Sequence, residues 1–185
     1  MAQVTKENGL PNDNRVVELI SELEDARCLS TSAAFDGPWE VVWSEGTMAW
    51  RALVARAVQA VAGKSRAGQW FTLGDASSTS TPEALNFAEL FAGLVIITAW
   101  GVFRPKPTCA DAEDPDKLAQ GASYPLGFDV QIAGGDIRVA GRRWKLPICG
   151  PGEFEVLYGD ESVRVFRSSG GIAVQVPSDW KKPPE

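Results

Sequence analysis

The spacing of turns in the C-terminal third constrains this chain more than any other feature. Residues 153–176 read "EFEVLYGDESVRVFRSSGGIAVQV", which is strand, turn, strand, turn, strand, with breaks at Gly159-Asp160 and Ser169-Gly170-Gly171. Connections this short cannot carry the chain across a sheet, so successive strands must pair antiparallel. Just upstream, "LGFDVQIA" and "DIRVA" flank Gly134-Gly135, which reads as a hairpin turn, and "RRWKLPI" follows as a further strand. A chain of closely spaced antiparallel strands resolves its exposed edges either as a sandwich or by closing into a barrel.

The first two thirds add more strands and two helical patterns. In residues 13–27, Val16, Leu19, Ile20 and Leu23 recur at helical spacing behind possible caps at Asn12, Asp13 and Asn14. After the Gly37-Pro38 turn the period changes to two: Trp39, Val41 and Trp43 alternate with Glu40, Val42 and Ser44, predicting a strand with the first three on one face. Residues 47–62 return to helical spacing, with Trp50, Leu53, Val54, Ala57 and Val61 on one face and Arg51 and Arg56 beside it. "GQWFTL" predicts a strand and "GDASSTSTPE" a loop. The apolar run "LFAGLVIITAWGVF", residues 90–103, is rich in β-branched residues and is expected to supply two buried strands broken near Gly93. The proline-rich, acidic stretch 104–125 is expected to be a long surface loop. The sum is about eight or nine strands, one N-terminal helix and one inserted helix. An up-and-down barrel of about eight strands is just wide enough to hold one small ligand.

Composition removes several function classes. A net charge of -6 over 185 residues argues against general affinity for nucleic acid. Absence of histidine removes the commonest general base and the commonest neutral metal ligand. GxSxG, the P-loop, HExxH and GxGxxG are all absent, so the expectation is a non-catalytic protein with no metal and no cofactor. Three scattered cysteines without a CxxC pair suggest free thiols in a reducing compartment. The first fifteen residues have the pattern of neither a signal nor a transit peptide. At fourteen residues, the apolar run is shorter than the about 20 needed for a spanning helix.

Asp160, Glu161, Arg164 and Arg167 gather chemistry in one short stretch. As a catalytic site they lack a base and a nucleophile. As a structural device, strand alternation puts Val163 and Val165 on one face, with Arg167, and Arg164 on the other, with Phe166. An inward arginine needs a partner, and Asp160 is the nearest carboxylate. As a ligand clamp, a guanidinium at a barrel mouth holds a phosphate or carboxylate head group while the tail fills the interior. Trp39, Trp43, Trp70, Trp100 and Trp144 all lie in strand-like segments and either pack the core or line an apolar site.

Two motifs carry a resemblance to a known family. Asp36-Gly37-Pro38-Trp39-Glu40-Val41-Val42-Trp43 follows the N-terminal helix, and Tyr158-Gly159-Asp160-Glu161-Ser162-Val163-Arg164-Val165-Phe166-Arg167 precedes a glycine turn and "GGIAVQV". Together they resemble the plastid lipid-associated protein family, also called fibrillins; "GQWFTL" and "ALNFAEL" are similar to its middle strands. The resemblance spans most of residues 13–176. It implies a mainly β fold, a lipocalin-like antiparallel barrel with an N-terminal helix and one inserted amphipathic helix. It also implies a plastid protein at the thylakoid or plastoglobule surface, linked to isoprenoids, carotenoids, quinones or acyl lipids.

On this reading residues 1–12 are a flexible N-terminus, 13–177 one barrel domain and 178–185 a C-terminal tail. The ligand-binding candidates are Trp39, Trp43, Trp70, Trp100, Arg164 and Arg167. Tyr158, Asp160, Arg164 and Arg167 form a structural cluster, and Trp50, Arg51, Val54, Arg56 and Val61 a membrane or partner helix. The expected partners are an apolar small molecule or lipid, a membrane surface met peripherally and a photosynthetic protein complex. In a second reading the barrel is filled by its own side chains, and the chain is an accessory subunit docking on a photosynthetic or biosynthetic membrane complex.

Overall fold

The computed structural model describes residues 13–25, 29–31, 36–46, 65–72, 83–106, 120–123 and 125–182. The expected helix over 47–62, with Trp50, Arg51, Val54, Arg56 and Val61, lies outside them, as do residues 1–12. The described elements are α1 (Asp13–Asp25), β1 (Leu29–Thr31), β2 (Gly37–Glu45), β3 (Arg66–Thr72), β4 (Glu83–Leu90), β5 (Val95–Pro105), β6 (Gln120–Ser123), β7 (Leu126–Val139), β8 (Arg142–Leu146), β9 (Gly150–Gly159), β10 (Arg164–Ser168) and β11 (Gly171–Pro177).

The main sheet runs β5-β4-β3-β2-β11-β10-β9-β7-β8, and β5 also pairs with β7. That pairing closes eight antiparallel strands into a barrel and leaves β8 as a flap on the outer edge of β7. Of the two arrangements the turn spacing left open, sandwich and barrel, the barrel is the one present, as the resemblance implied. No helix among the described residues is long and apolar enough to cross a membrane.

Three elements differ from the sequence reading. Gly134-Gly135 is not a turn: β7 continues through it to Val139, and the hairpin turn is Ala140-Gly141. The glycines mark the corner at which β7 exchanges one neighbour for another, pairing β9 over Leu126–Ile132 and β8 over Gly135–Val139. Close approach explains both glycines: a Cβ on Gly134 would come within 2.9 Å of the Trp100 ring, and one on Gly135 would meet Ile148 and the Thr98 carbonyl. The apolar run does break near Gly93, in the turn Phe91 to Leu94, but it supplies one whole strand rather than two, because Leu90 only ends β4 and β5 begins at Val95. The stretch expected as a continuous loop after residue 104 contains β6, which pairs antiparallel with β1.

Three bulges set which side chains enter the barrel. Register skips Val42 between β2 and β11, Leu157 between β9 and β10, and Ala133 between β7 and β5. A bulge adds one residue and flips the alternation beyond it. The interior is apolar and aromatic, built from Phe71, Phe103, Leu126, Phe128, Phe154, Val156 and Phe166 with Ala84 and Ala173. Outside, α1 lays Val16 and Ile20 over Trp43, Leu157, Val163, Val165 and Val174. The segment after β11 also packs. Trp180 is 2% exposed, stacks on Phe87 at 4.1 Å and meets Trp70 edge-on, while Asp179 pairs with Arg66 at 2.7 Å. Residues 178–180, expected as the start of a C-terminal tail, thus pack against the barrel.

Candidate functional site: a polar relay inside the barrel

Alternation from Phe166 places Arg164 inside the barrel, where it is fully buried. Its Nε donates to Gln175 Oε1 at 2.7 Å and its Nη2 to Gln69 Oε1 at 3.4 Å. The guanidinium carbon lies 4.5 Å from the Phe71 ring centre and 5.0 Å from that of Trp39. Both rings present their negative faces to the cation, a contact that gains strength once water is excluded. Gln175, also fully buried, donates from Nε2 to Gln69 Oε1 at 3.4 Å, and Gln69 Nε2 donates to Asn86 Oδ1 at 3.0 Å. One directed relay therefore runs Arg164, Gln175, Gln69, Asn86, across β10, β11, β3 and β4. It ends at Asn86, half-buried, whose Nδ2 donors have no partner among the described residues.

The inner wall changes character along its length. Rings of Phe71, Phe103, Phe128 and Phe154 touch one another with centroids 4.9 to 6.3 Å apart and fill one part of the interior. On the same inward face of β3, β4 and β5, register aligns Gln69 with Asn86 and Ala99, and Ala67 with Ala88 and Ile97. All six are only half-buried, so solvent reaches this part of the inner wall. Small side chains with the Asn86 amide donors give this wall the chemistry to meet an apolar body and an oxygen acceptor.

The cluster expected around Asp160 is divided by the barrel wall. Asp160 is not the partner of Arg164; its own turn takes the carboxylate. Oδ1 accepts from the Ser162 and Val163 N–H groups and the Ser162 hydroxyl at 2.7 to 3.0 Å, and Oδ2 from the Tyr158 hydroxyl at 2.8 Å. Partial burial pushes this carboxyl up, but the hydrogen bonds from Ser162, Tyr158 and Val163 outweigh it and hold it below the usual carboxylate range. Arg167 faces outward, as alternation required. It bridges Glu155 at 3.1 Å and Glu24 of α1 at 2.7 Å, fastening the helix to the barrel. It is a structural cation, not part of a ligand clamp.

Of the four tryptophans proposed for ligand contact, one faces inward. Trp39 lines the interior against Arg164. Trp43, expected on the same face, lies outside beneath α1 because the Val42 bulge reverses the strand between them. Trp70 lies outside against Trp180. Trp100 pairs in register with Leu85 and Gly134 on the outer face and covers Gly134. Sequence reasoning missed Gln69, Gln175 and Asn86. Their signal was an amide in the inward register of three strands, visible once the Phe71, Ala84 and Ala173 face is known to point inward. Comparisons of the chain with models of protein families, with curated proteins and with solved structures gave no match.

Proposed function

We propose that this protein is a non-catalytic carrier or store of an apolar ligand bearing an oxygen acceptor, a quinone, an oxygenated carotenoid or an acyl lipid, at a plastid membrane. The observation that carries this reading is the half-buried inner wall of Gln69, Asn86, Ala67, Ala88, Ile97 and Ala99, with Asn86 Nδ2 at the end of the relay and without a partner among the described residues. An amide donor on an otherwise small and apolar wall fixes the orientation of a ligand whose body is held by area burial. Location at the thylakoid or plastoglobule is supported by the resemblance of the two strand motifs to the plastid lipid-associated family.

A second reading has its own observation. The touching rings of Phe71, Phe103, Phe128 and Phe154 fill part of the barrel, which favours an accessory subunit that docks on a membrane complex. Mass spectrometry of organic extract from natively purified protein separates the two. An extracted quinone, carotenoid or acyl lipid, taken up again stoichiometrically by delipidated protein and lost on Asn86→Leu, supports the carrier. Protein that yields nothing, takes up nothing and co-purifies with a defined complex rules the carrier out.

A further inference from the structure

At one end of the molecule two hairpin tips are held side by side. The β4–β5 tip, Phe91 to Leu94, and the β7–β8 tip, Ala140-Gly141, are joined by a hydrogen bond from Ala140 N–H to the Leu94 carbonyl at 2.9 Å. Exposed apolar side chains concentrate around this pair of tips. Leu94 is 54% exposed, Trp144 49%, and Phe91 36%. Register places Ile97, Ile137 and Trp144 side by side, so the apolar inner wall continues past the β7 corner onto the flap. Phe91 and the adjacent Ala92 also adopt left-handed backbone, with φ of 53° and 54°. That conformation favours glycine or asparagine, so a phenylalanine there carries a local backbone cost.

Charge around these tips runs against the rest of the chain. Residues 137–152, "IRVAGRRWKLPICGPG", hold Arg138, Arg142, Arg143 and Lys145 and no acid, in a protein of net charge -6. Arg138 and Arg143 sit directly opposite each other on neighbouring strands, an arrangement that costs folding stability. Arg143 is engaged by Asp136 at 2.5 Å. Arg138, Arg142 and Lys145 enter no ion pair among the described residues. Exposed leucine, phenylalanine and tryptophan on the same two hairpins as Arg138, Arg142 and Lys145 match the interface of an anionic bilayer, where aromatic rings sit at headgroup level and basic side chains meet lipid phosphates.

We propose that the joined β4–β5 and β7–β8 tips are the surface by which this protein docks on an anionic membrane, with Phe91, Leu94 and Trp144 entering the interface and Arg138, Arg142 and Lys145 contacting headgroups. The proposal rests on the reading of the chain as a peripheral membrane protein. It adds which surface makes the contact and places that surface beside the half-buried part of the inner wall.

Co-sedimentation with phosphatidylglycerol/phosphatidylcholine vesicles tests it. Wild-type protein is expected to bind, more weakly as salt rises, and to ignore pure phosphatidylcholine. The triple variant R138Q/R142Q/K145Q is expected to bind roughly 150-fold more weakly, each cation near an anionic surface contributing about fivefold. L94S/W144S is expected to reduce binding independently, and near-ultraviolet circular dichroism confirms that both variants fold. Wild type that binds vesicles while the triple variant binds equally well overturns this surface and leaves the peripheral-membrane reading intact. Wild type that binds no vesicle of any composition overturns both. Retention by polyglutamate or heparin without vesicle binding assigns the cations to an acidic macromolecule and overturns the lipid proposal.

Discussion

Replacing Arg164 tests the interior relay most directly. Arg164→Ala removes a well-formed hydrogen bond to Gln175 and a longer one to Gln69, and takes the cation away from the Trp39 and Phe71 rings. A hydrogen bond involving a charged group contributes about 1.5–3 kcal/mol net, and each desolvated cation–π contact about 2. Against this stands the cost of holding a guanidinium out of water, several kcal/mol. Adding the cavity left by the side chain, the net loss is about 4 kcal/mol. Arg164→Met restores most of the volume of the stem but leaves Gln175 Oε1 without its donor, so it should cost about 2 kcal/mol. Urea unfolding at pH 7, followed by tryptophan fluorescence and circular dichroism, reads both differences as shifts in midpoint. A further Gln175→Met should cost at least about 1 kcal/mol less on the Arg164→Met background than on wild type, since the two side chains act as one unit. Losses within about 0.5 kcal/mol at Arg164, or additivity between the two sites, would refute a buried relay.

Asp160→Ala should cost about 2 kcal/mol at neutral pH, because its carboxylate collects four hydrogen bonds in the β9–β10 turn. Since folding lowers the Asp160 pKa, that contribution is present above the ordinary aspartate value and is lost as pH falls from about 3.8 through the lower folded value; wild-type and variant melting curves should therefore converge in acid. Gly101→Ala should destabilise by about 3 kcal/mol in a chemical melt, since its Cβ would overlap the Gln131 backbone carbonyl at the β5–β7 seam that closes the barrel. Trp180→Ala should cost about 3 kcal/mol by the same assay, and an unchanged midpoint would show that the C-terminal segment does not pack on Phe87.

Elements with a local cause were legible. The β9–β10 and β10–β11 turns carry their own glycines and acids, and both occur where the sequence placed them. The opposite facing of Arg164 and Arg167 followed from alternation alone, because β10 itself is regular and its bulge lies in the partner strand at Leu157. Elements with a non-local cause were not legible. Gly134-Gly135 and a hairpin turn look alike in sequence, since both need a residue without a Cβ. Only the neighbours, the Trp100 ring on one side and Ile148 on the other, decide between a bend and a reversal. Trp39 and Trp43 were separated for a related reason. Val42 is a β-branched residue in the middle of a strand-like run, and nothing in its chemistry announces a bulge. The bulge arises because β11 offers Gln175 and Val174 to three residues of β2.

The tryptophan count illustrates how a composition signal can point to the right class of surface and the wrong side of the wall. Trp43 is sealed under α1, Trp70 and Trp180 meet on the outer face of β3 and β4, and Trp100 covers a glycine at the β7 corner. Each closes a place where the outside of a small barrel would otherwise expose apolar strand. The interior is filled instead by phenylalanine, which buries comparable area without an N–H group to satisfy. Trp39 is the exception among those proposed for the ligand site, and its indole N–H is accommodated by the Asp36 carbonyl at 3.1 Å. With that donor satisfied, the ring is left to serve as an apolar and π surface for Arg164. Among the described residues the polar capacity of the interior therefore rests on Arg164 and the three amides, and Asn86 is the relay's end, the amide whose Nδ2 donates to none of them.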